Sequence, residues 1–182
     1  EVAGVVIPKI SSVGELEEAK KALSKDSVIA NIMVGIETVA GVVSATEILR
    51  SDSVIAAYFG AEDYVLDLGG IRTPENDEVF LARSQLGMAS RLSGVPVVDQ
   101  IVADFSDSKR FIKEAEQARS LGFAGKLCIH PSQVILANQS FSYSADVFIR
   151  AQPLLAVSGQ AVLQDSVPVV DQIVADFSDS KR

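Results

Sequence analysis

Glu37 and Asp63 are the two residues whose types and spacing best fit chemistry in this chain. Each follows an apolar run, residues 28 to 36 and residues 54 to 59 respectively, and a helix-length segment lies between them. Carboxylates that follow successive parallel strands end at the same edge of one sheet, where α/β sheets bind ligands. Two hard oxygen donors, with the remaining positions left to water and substrate, are how Mg²⁺ is usually held. The same pair without a metal would be an acid/base couple. The competing assignment makes Glu37 the cap of a helix starting near Val39 and Asp63 the cap of a turn. Glu62 and Asp67 are rivals for the metal. Neighbours on an extended loop point apart, so Glu62 reads better as a solvated loop charge, and Asp67 as a support for the loop or for the ligands.

His130 is the only histidine and Cys128 the only cysteine. A sole histidine near a strand end invites a general-base role. The His-Pro-Ser-Gln context favours a hydrogen-bonded turn that fixes a strand-to-helix connection. Cys128 sits within an apolar run and reads as a small buried hydrophobe. The sequence contains no glycine-rich phosphate loop, paired-cysteine metal motif or Gly-x-Ser-x-Gly elbow.

The elements that must position these residues alternate. Residues 2 to 7 form a β-branched run suited to a buried parallel strand. Ser11 or Ser12 can cap a helix over 13 to 24, with Val13, Leu16, Ala19 and Leu23 on its apolar face. Strand 28 to 36 then leads to helix 39 to 49, and strand 54 to 59 to the GAED loop. Residues 61 to 74, with paired glycines and Arg72, read as an extended functional loop. A helix over 75 to 92 buries Val79, Leu81, Ala82, Leu86 and Ala89. Strand 96 to 102 precedes a helix capped within 106 to 108 and ended by Gly122. Strand 126 to 129, a helical turn over 132 to 138 and a last helix over 145 to 157 follow. Five βα units predict a parallel sheet, as a barrel or a doubly wound sheet.

At 182 residues, 48% of them hydrophobic, the chain can build one sizeable core. A net charge of −8 argues against nucleic acid and anionic membrane surfaces as partners. The lone cysteine, the lack of a long apolar run and an amino terminus without a basic leader point to a soluble protein of the cytoplasm or an organelle matrix.

GVVIPKI at 4 to 10, GIETVAG at 35 to 41, YFGAEDYVLDLGGIRT at 58 to 73, VVDQIVADFSD at 97 to 107 and GFAGKLCIHPSQV at 122 to 134 together resemble the citrate lyase beta-subunit-like family. That family, with its malyl-CoA and citramalyl-CoA lyases, lies within the HpcH/HpaI aldolase group. The resemblance implies a (β/α)₈ TIM barrel of the phosphoenolpyruvate/pyruvate type, of which about five βα units are present. The first strand here matches the family's fourth, so an early arginine and another acidic segment of the family site have no counterpart. Glu37 and Asp63 match the two metal-binding carboxylates, and Gly60, Ala61 and Glu62 lie beside them in the substrate-binding motif. The implied activity is Mg²⁺-dependent cleavage or formation of a carbon–carbon bond in a 3-hydroxyacyl thioester, carried by coenzyme A or a carrier protein. The products are a 2-oxo acid and an acyl thioester. The resemblance also implies a homo-oligomer.

The carboxyl end departs from this pattern. Residues 167 to 182, VPVVDQIVADFSDSKR, repeat residues 95 to 110 letter for letter. Such identity points to a recent duplication or an assembly artefact, a tail of uncertain identity. Asp171 falls next to the family's catalytic aspartate, but within this repeat. The expected organisation is a partial barrel over 1–140, a helix and lid-like segment over 141–166, and the duplicated tail over 167–182. The alternative function is a non-catalytic homologue or subunit that binds a protein partner.

Overall fold

The computed structural model describes residues 4–23 and 31–142. The elements run β1 (Val5–Ile7), α1 (Val13–Leu23), β2 (Ile32–Ile36), α2 (Val39–Val43), α3 (Ala45–Leu49), β3 (Val54–Phe59), α4 (Ala61–Leu68), α5 (Asp77–Ser93), β4 (Val97–Asp99), α6 (Ser108–Ser120), β5 (Gly125–Lys126) and α7 (Pro131–Phe141). The last predicted helix and the repeated tail lie outside the described residues.

All five strands are parallel and pair in sequence order, β1-β2-β3-β4-β5. A doubly wound sheet reverses its order at a switch point. The uninterrupted order therefore excludes that alternative and leaves an open arc of a (β/α) barrel. The two faces of the sheet differ as a barrel wall requires. Ile32, Val34, Ile36, Val54, Ala57, Phe59 and Val97 pack with helical residues such as Leu16, Ile48, Val79 and Leu86 in the main core. Met33, Ala56 and Val98, with Tyr58 and Leu127 against them, form a separate cluster drawn from strands and the β5 exit. Strand alternation sends successive side chains to these opposite faces. A smaller cluster of Val102, Phe111, Ala115 and Ala137 joins α6 to α7.

Several elements differ from the sequence expectation for identifiable reasons. The helix over 39 to 49 divides at Ser44 (φ −89°, ψ 2°) into α2 and α3. On α1 only Leu16 is fully buried. In place of the strands expected at 96 to 102 and 126 to 129 there are three residues, Val97–Asp99, and two, Gly125–Lys126. Their last residues, Asp99 and Lys126, pair in register and form an ion pair at 3.0 Å. On α5, Leu81 is exposed and Arg83 is fully buried. Arg83 faces inward because Asp99 waits there, with Nε to Oδ1 at 2.9 Å and Nη2 to Oδ2 at 3.0 Å. Hydrophobic periodicity cannot anticipate a buried ion pair.

The largest difference is α4. Residues 61 to 68 form a helix directly after β3, not a loop. Ala61, Tyr64 and Val65 recur at helical spacing and are buried. Gly69 closes the helix at φ 71°, and the Gly70 amide returns to the Val65 carbonyl at 3.0 Å. The paired glycines are thus a left-handed helix stop of the Schellman kind.

Candidate metal centre

Glu37 immediately follows β2 and is 5% exposed. It is not the cap of α2. That role belongs to Thr38, whose side chain accepts from the Gly41 amide at 3.0 Å. Asp67 completes the same helix start by accepting from the Val39 amide at 2.8 Å. Asp67 thus anchors the start of α2, from a helix and not from the loop expected there. Ser11 Oγ lies 2.8 Å from Thr38 Oγ1 and ties the start of α1 to this corner.

Asp63 lies in the first turn of α4, which Gly60 caps. The register pairs Ile36 with Phe59, and the Gly60 amide donates to the Ile36 carbonyl at 3.1 Å. This sets Gly60 beside Glu37. A Cβ at position 60 would stand 2.6 Å from Glu37 Cγ, so glycine is required for the two chains to approach this closely. Asp63 follows nearly one helical turn later, and its charge acts on the Glu37 carboxyl. The register of β2 against β3 thus sets the two residues singled out by spacing on neighbouring segments.

Their protonation follows from their surroundings. Burial pushes the Glu37 carboxyl up, and the adjacent Asp63 charge adds to this while the Tyr58 hydroxyl opposes it. Asp63 is held below its usual range by Lys9 first and Glu37 second. Lys9 Nζ stands 3.1 Å from Asp63 Oδ1. The Tyr58 hydroxyl donates to Glu37 Oε1. Gly35, opposite Tyr58 in the register, leaves room for this contact, since a Cβ there would meet both Glu37 Oε1 and the Tyr58 hydroxyl at 2.5 Å.

Sequence reasoning missed Tyr58 and Lys9. The available signals were a polar-tipped ring on an otherwise apolar strand and a lysine at the end of the first strand. Glu62 is not a free loop charge. It accepts from Arg72 Nε at 2.9 Å, and Arg72 also reaches Asn76 and Glu78. Ala61 is buried at the start of α4. His130 caps α7, its Nδ1 accepting from the Ser132 amide at 3.2 Å, and its ring stacks on Phe105. This is the turn role expected of it. Cys128 lies beyond β5, half-buried against the α6–α7 cluster, and not within a strand. Asp171 lies outside the described residues.

The donor set suits a hard divalent cation. Both candidate ligands are carboxylates, one is buried, and each is oriented by a neighbouring donor. No group of three or more His, Cys, Asp or Glu side chains converges among the described residues. Mg²⁺ commonly takes one or two carboxylates plus waters and substrate oxygens, so two ligands meet its need.

Fold and carboxylate pair define a protein of the TIM-barrel class with an acidic site at the carboxyl ends of adjacent strands. The chain belongs to the HpcH/HpaI aldolase/citrate lyase family, whose profile matches residues 1–131. It is 45% identical over 161 residues to a citrate lyase subunit beta-like protein of Deinococcus radiodurans, covering 88% of this chain and 57% of that one. It is 31% identical over 168 residues to a (3S)-malyl-CoA thioesterase of Cereibacter sphaeroides, covering 92% and 58%. The chain thus spans a little over half the length of these relatives. Among solved structures, the protein CitE of Mycobacterium tuberculosis in complex with magnesium, acetoacetate and coenzyme A superimposes with a TM-score of 0.70. It shares 26% identity over 90% of this chain and 62% of that one. Among the described residues no helix is long and apolar enough to cross a membrane.

Proposed function

We propose that this chain carries the metal-binding part of a Mg²⁺-dependent carbon–carbon lyase. The substrate class is a 3-hydroxyacyl-CoA-type thioester, such as a malyl, citramalyl or citryl thioester. Cleavage gives a 2-oxo acid and an acyl thioester, and condensation is the reverse. The observation that carries this reading is the placement of Gly60, against Glu37 through the β2–β3 register, at the start of the helix whose first turn bears Asp63. The family relationship and the magnesium, acetoacetate and coenzyme A bound by the mycobacterial relative support it.

Glu37 and Asp63 would hold the ion, which when bound supplies Lewis acidity to the oxygen that becomes the 2-oxo group. Tyr58 keeps Glu37 in place by donating to one of its oxygens. Gly60 keeps the approach to Glu37 unobstructed. Ala61 and Glu62 open α4, and first-turn amides lack intrahelical partners, so their N–H groups suit a substrate oxyanion. Glu62 would act through its backbone, because its side chain is engaged by Arg72.

The test is incubation with malyl-CoA and chromatographic separation of the products. Acetyl-CoA and glyoxylate are expected with Mg²⁺ and not with excess chelator. Glu37→Gln and Asp63→Asn are each expected to lower the rate by roughly a thousandfold, as loss of a principal electrostatic group does. Undiminished turnover under chelation, or in either variant, would sink the proposal. Malate and free coenzyme A would instead mark a thioesterase, the activity named for the Cereibacter relative.

A further inference from the structure

Lys9 follows Pro8 at the end of β1 with φ of 56°. A left-handed backbone is unfavourable for a residue with a Cβ, and such strain concentrates at functional sites. Here the conformation accompanies delivery of the ammonium to Asp63, at 3.1 Å, with the two side chains 57% and 43% exposed. An exposed pair of this kind does little to stabilise a fold. Stability alone therefore does not account for a strained lysine at this point.

We infer that Lys9 is the resident counter-cation of the carboxylate site, yielding Asp63 to a divalent metal and then holding the carboxylate of a 2-oxo acid. This rests on the assignment of Glu37 and Asp63 as metal ligands. Charge balance supports each stage. Lys9 sets one positive charge directly against Asp63. A weak, solvated pair gives way readily to a divalent ion. Two carboxylates and Mg²⁺ then sum to zero, leaving the ammonium as one unmatched positive charge, which a single substrate carboxylate neutralises. Arg72, the cation paired with neighbouring Glu62, is already committed to Glu62, Asn76 and Glu78.

Lys9→Asn removes the charge but suits the left-handed backbone, which asparagine tolerates better than most residues; Lys9→Arg retains the charge. Mn²⁺ binding is measured by electron paramagnetic resonance of the free ion, and pyruvate binding to the Mn²⁺-loaded chain by calorimetry. Thermal melting verifies that both variants fold. Lys9→Asn is expected to bind Mn²⁺ about two- to fivefold tighter, the worth of an exposed competing ion pair. It should lose pyruvate affinity at least about tenfold, as expected for one charge-assisted hydrogen bond. Lys9→Arg should keep pyruvate affinity within about threefold on the same grounds. Unchanged or weaker Mn²⁺ binding in Lys9→Asn overturns the counter-cation role, and unchanged pyruvate binding overturns the anion-holding role. Failure of the wild-type chain to bind Mn²⁺ overturns the metal assignment itself, and this inference with it.

Discussion

Glu37 is held by its neighbours more than by its own secondary structure. It sits just past β2, with Gly35 and Gly60 leaving the space it needs and Tyr58 bonded to its Oε1. Gly60 has φ −100°, which any residue adopts, so its replacement isolates the steric effect. In Gly60→Ala the new methyl would press on the stem of Glu37, at 2.6 Å from Cγ. Overpacking of this sort costs about 1–3 kcal/mol. Gly60→Ala is expected to weaken Mn²⁺ binding about tenfold or more, matching that range, with a modest fall in melting temperature. Metal affinity equal to wild type would show that the close approach does not set the position of Glu37.

At the scale of elements, α5, β4, α6 and β5 are joined by a buried polar network. Arg83 pairs with Asp99 through two nitrogens, and Lys126 Nζ reaches Asp99 Oδ2 at 3.0 Å, Glu114 Oε2 at 3.2 Å and the Gln100 carbonyl at 2.7 Å. Asn76 and Gln100 donate to Glu114 as well. The short strands β4 and β5 have few ladder bonds, so this network does much of the work of holding α5 and α6 to the sheet. Removing one partner of a buried pair leaves the other charge uncompensated, at a cost of about 3–5 kcal/mol. Arg83→Met should lower stability by about that amount in urea denaturation, reduced toward the lower figure because Lys126 also faces Asp99. A loss under about 1 kcal/mol, the range of a surface pair, would mean that the network contributes geometry and no net stability.

For the whole molecule the same network sets a dependence on pH. Burial acts to raise the Glu114 carboxyl, but Lys126, Arg110 and Asn76 outweigh it and bring it from 4.5 down to about 2. A carboxylate with a depressed folded value contributes stability that is complete above its unfolded value and is lost as pH falls through the folded one. The contribution, about 3 kcal/mol, is therefore expected to disappear between about pH 5 and pH 2. Glu114→Gln should flatten that limb of the unfolding free energy against pH; a limb of unchanged steepness would reassign it to other carboxylates. What the sequence determined by itself was whatever is written in local pattern: the βα alternation, the placement of β3 at Val54–Phe59, the cap of α6, and Glu37 with Asp63 at strand ends. Backbone sterics and apolar periodicity act over a few residues and survive in a one-dimensional reading. Tertiary structure decided the rest, because it depended on partners distant in the chain. The strand order chose barrel over doubly wound sheet. Asp99 turned Arg83 inward at the expense of Leu81. Packing of Ala61, Tyr64 and Val65 made α4 a helix where glycines and charges suggested a loop. Only the register of β2 against β3 and the fold of β1 beside them brought Lys9, Tyr58 and Gly60 around the two carboxylates.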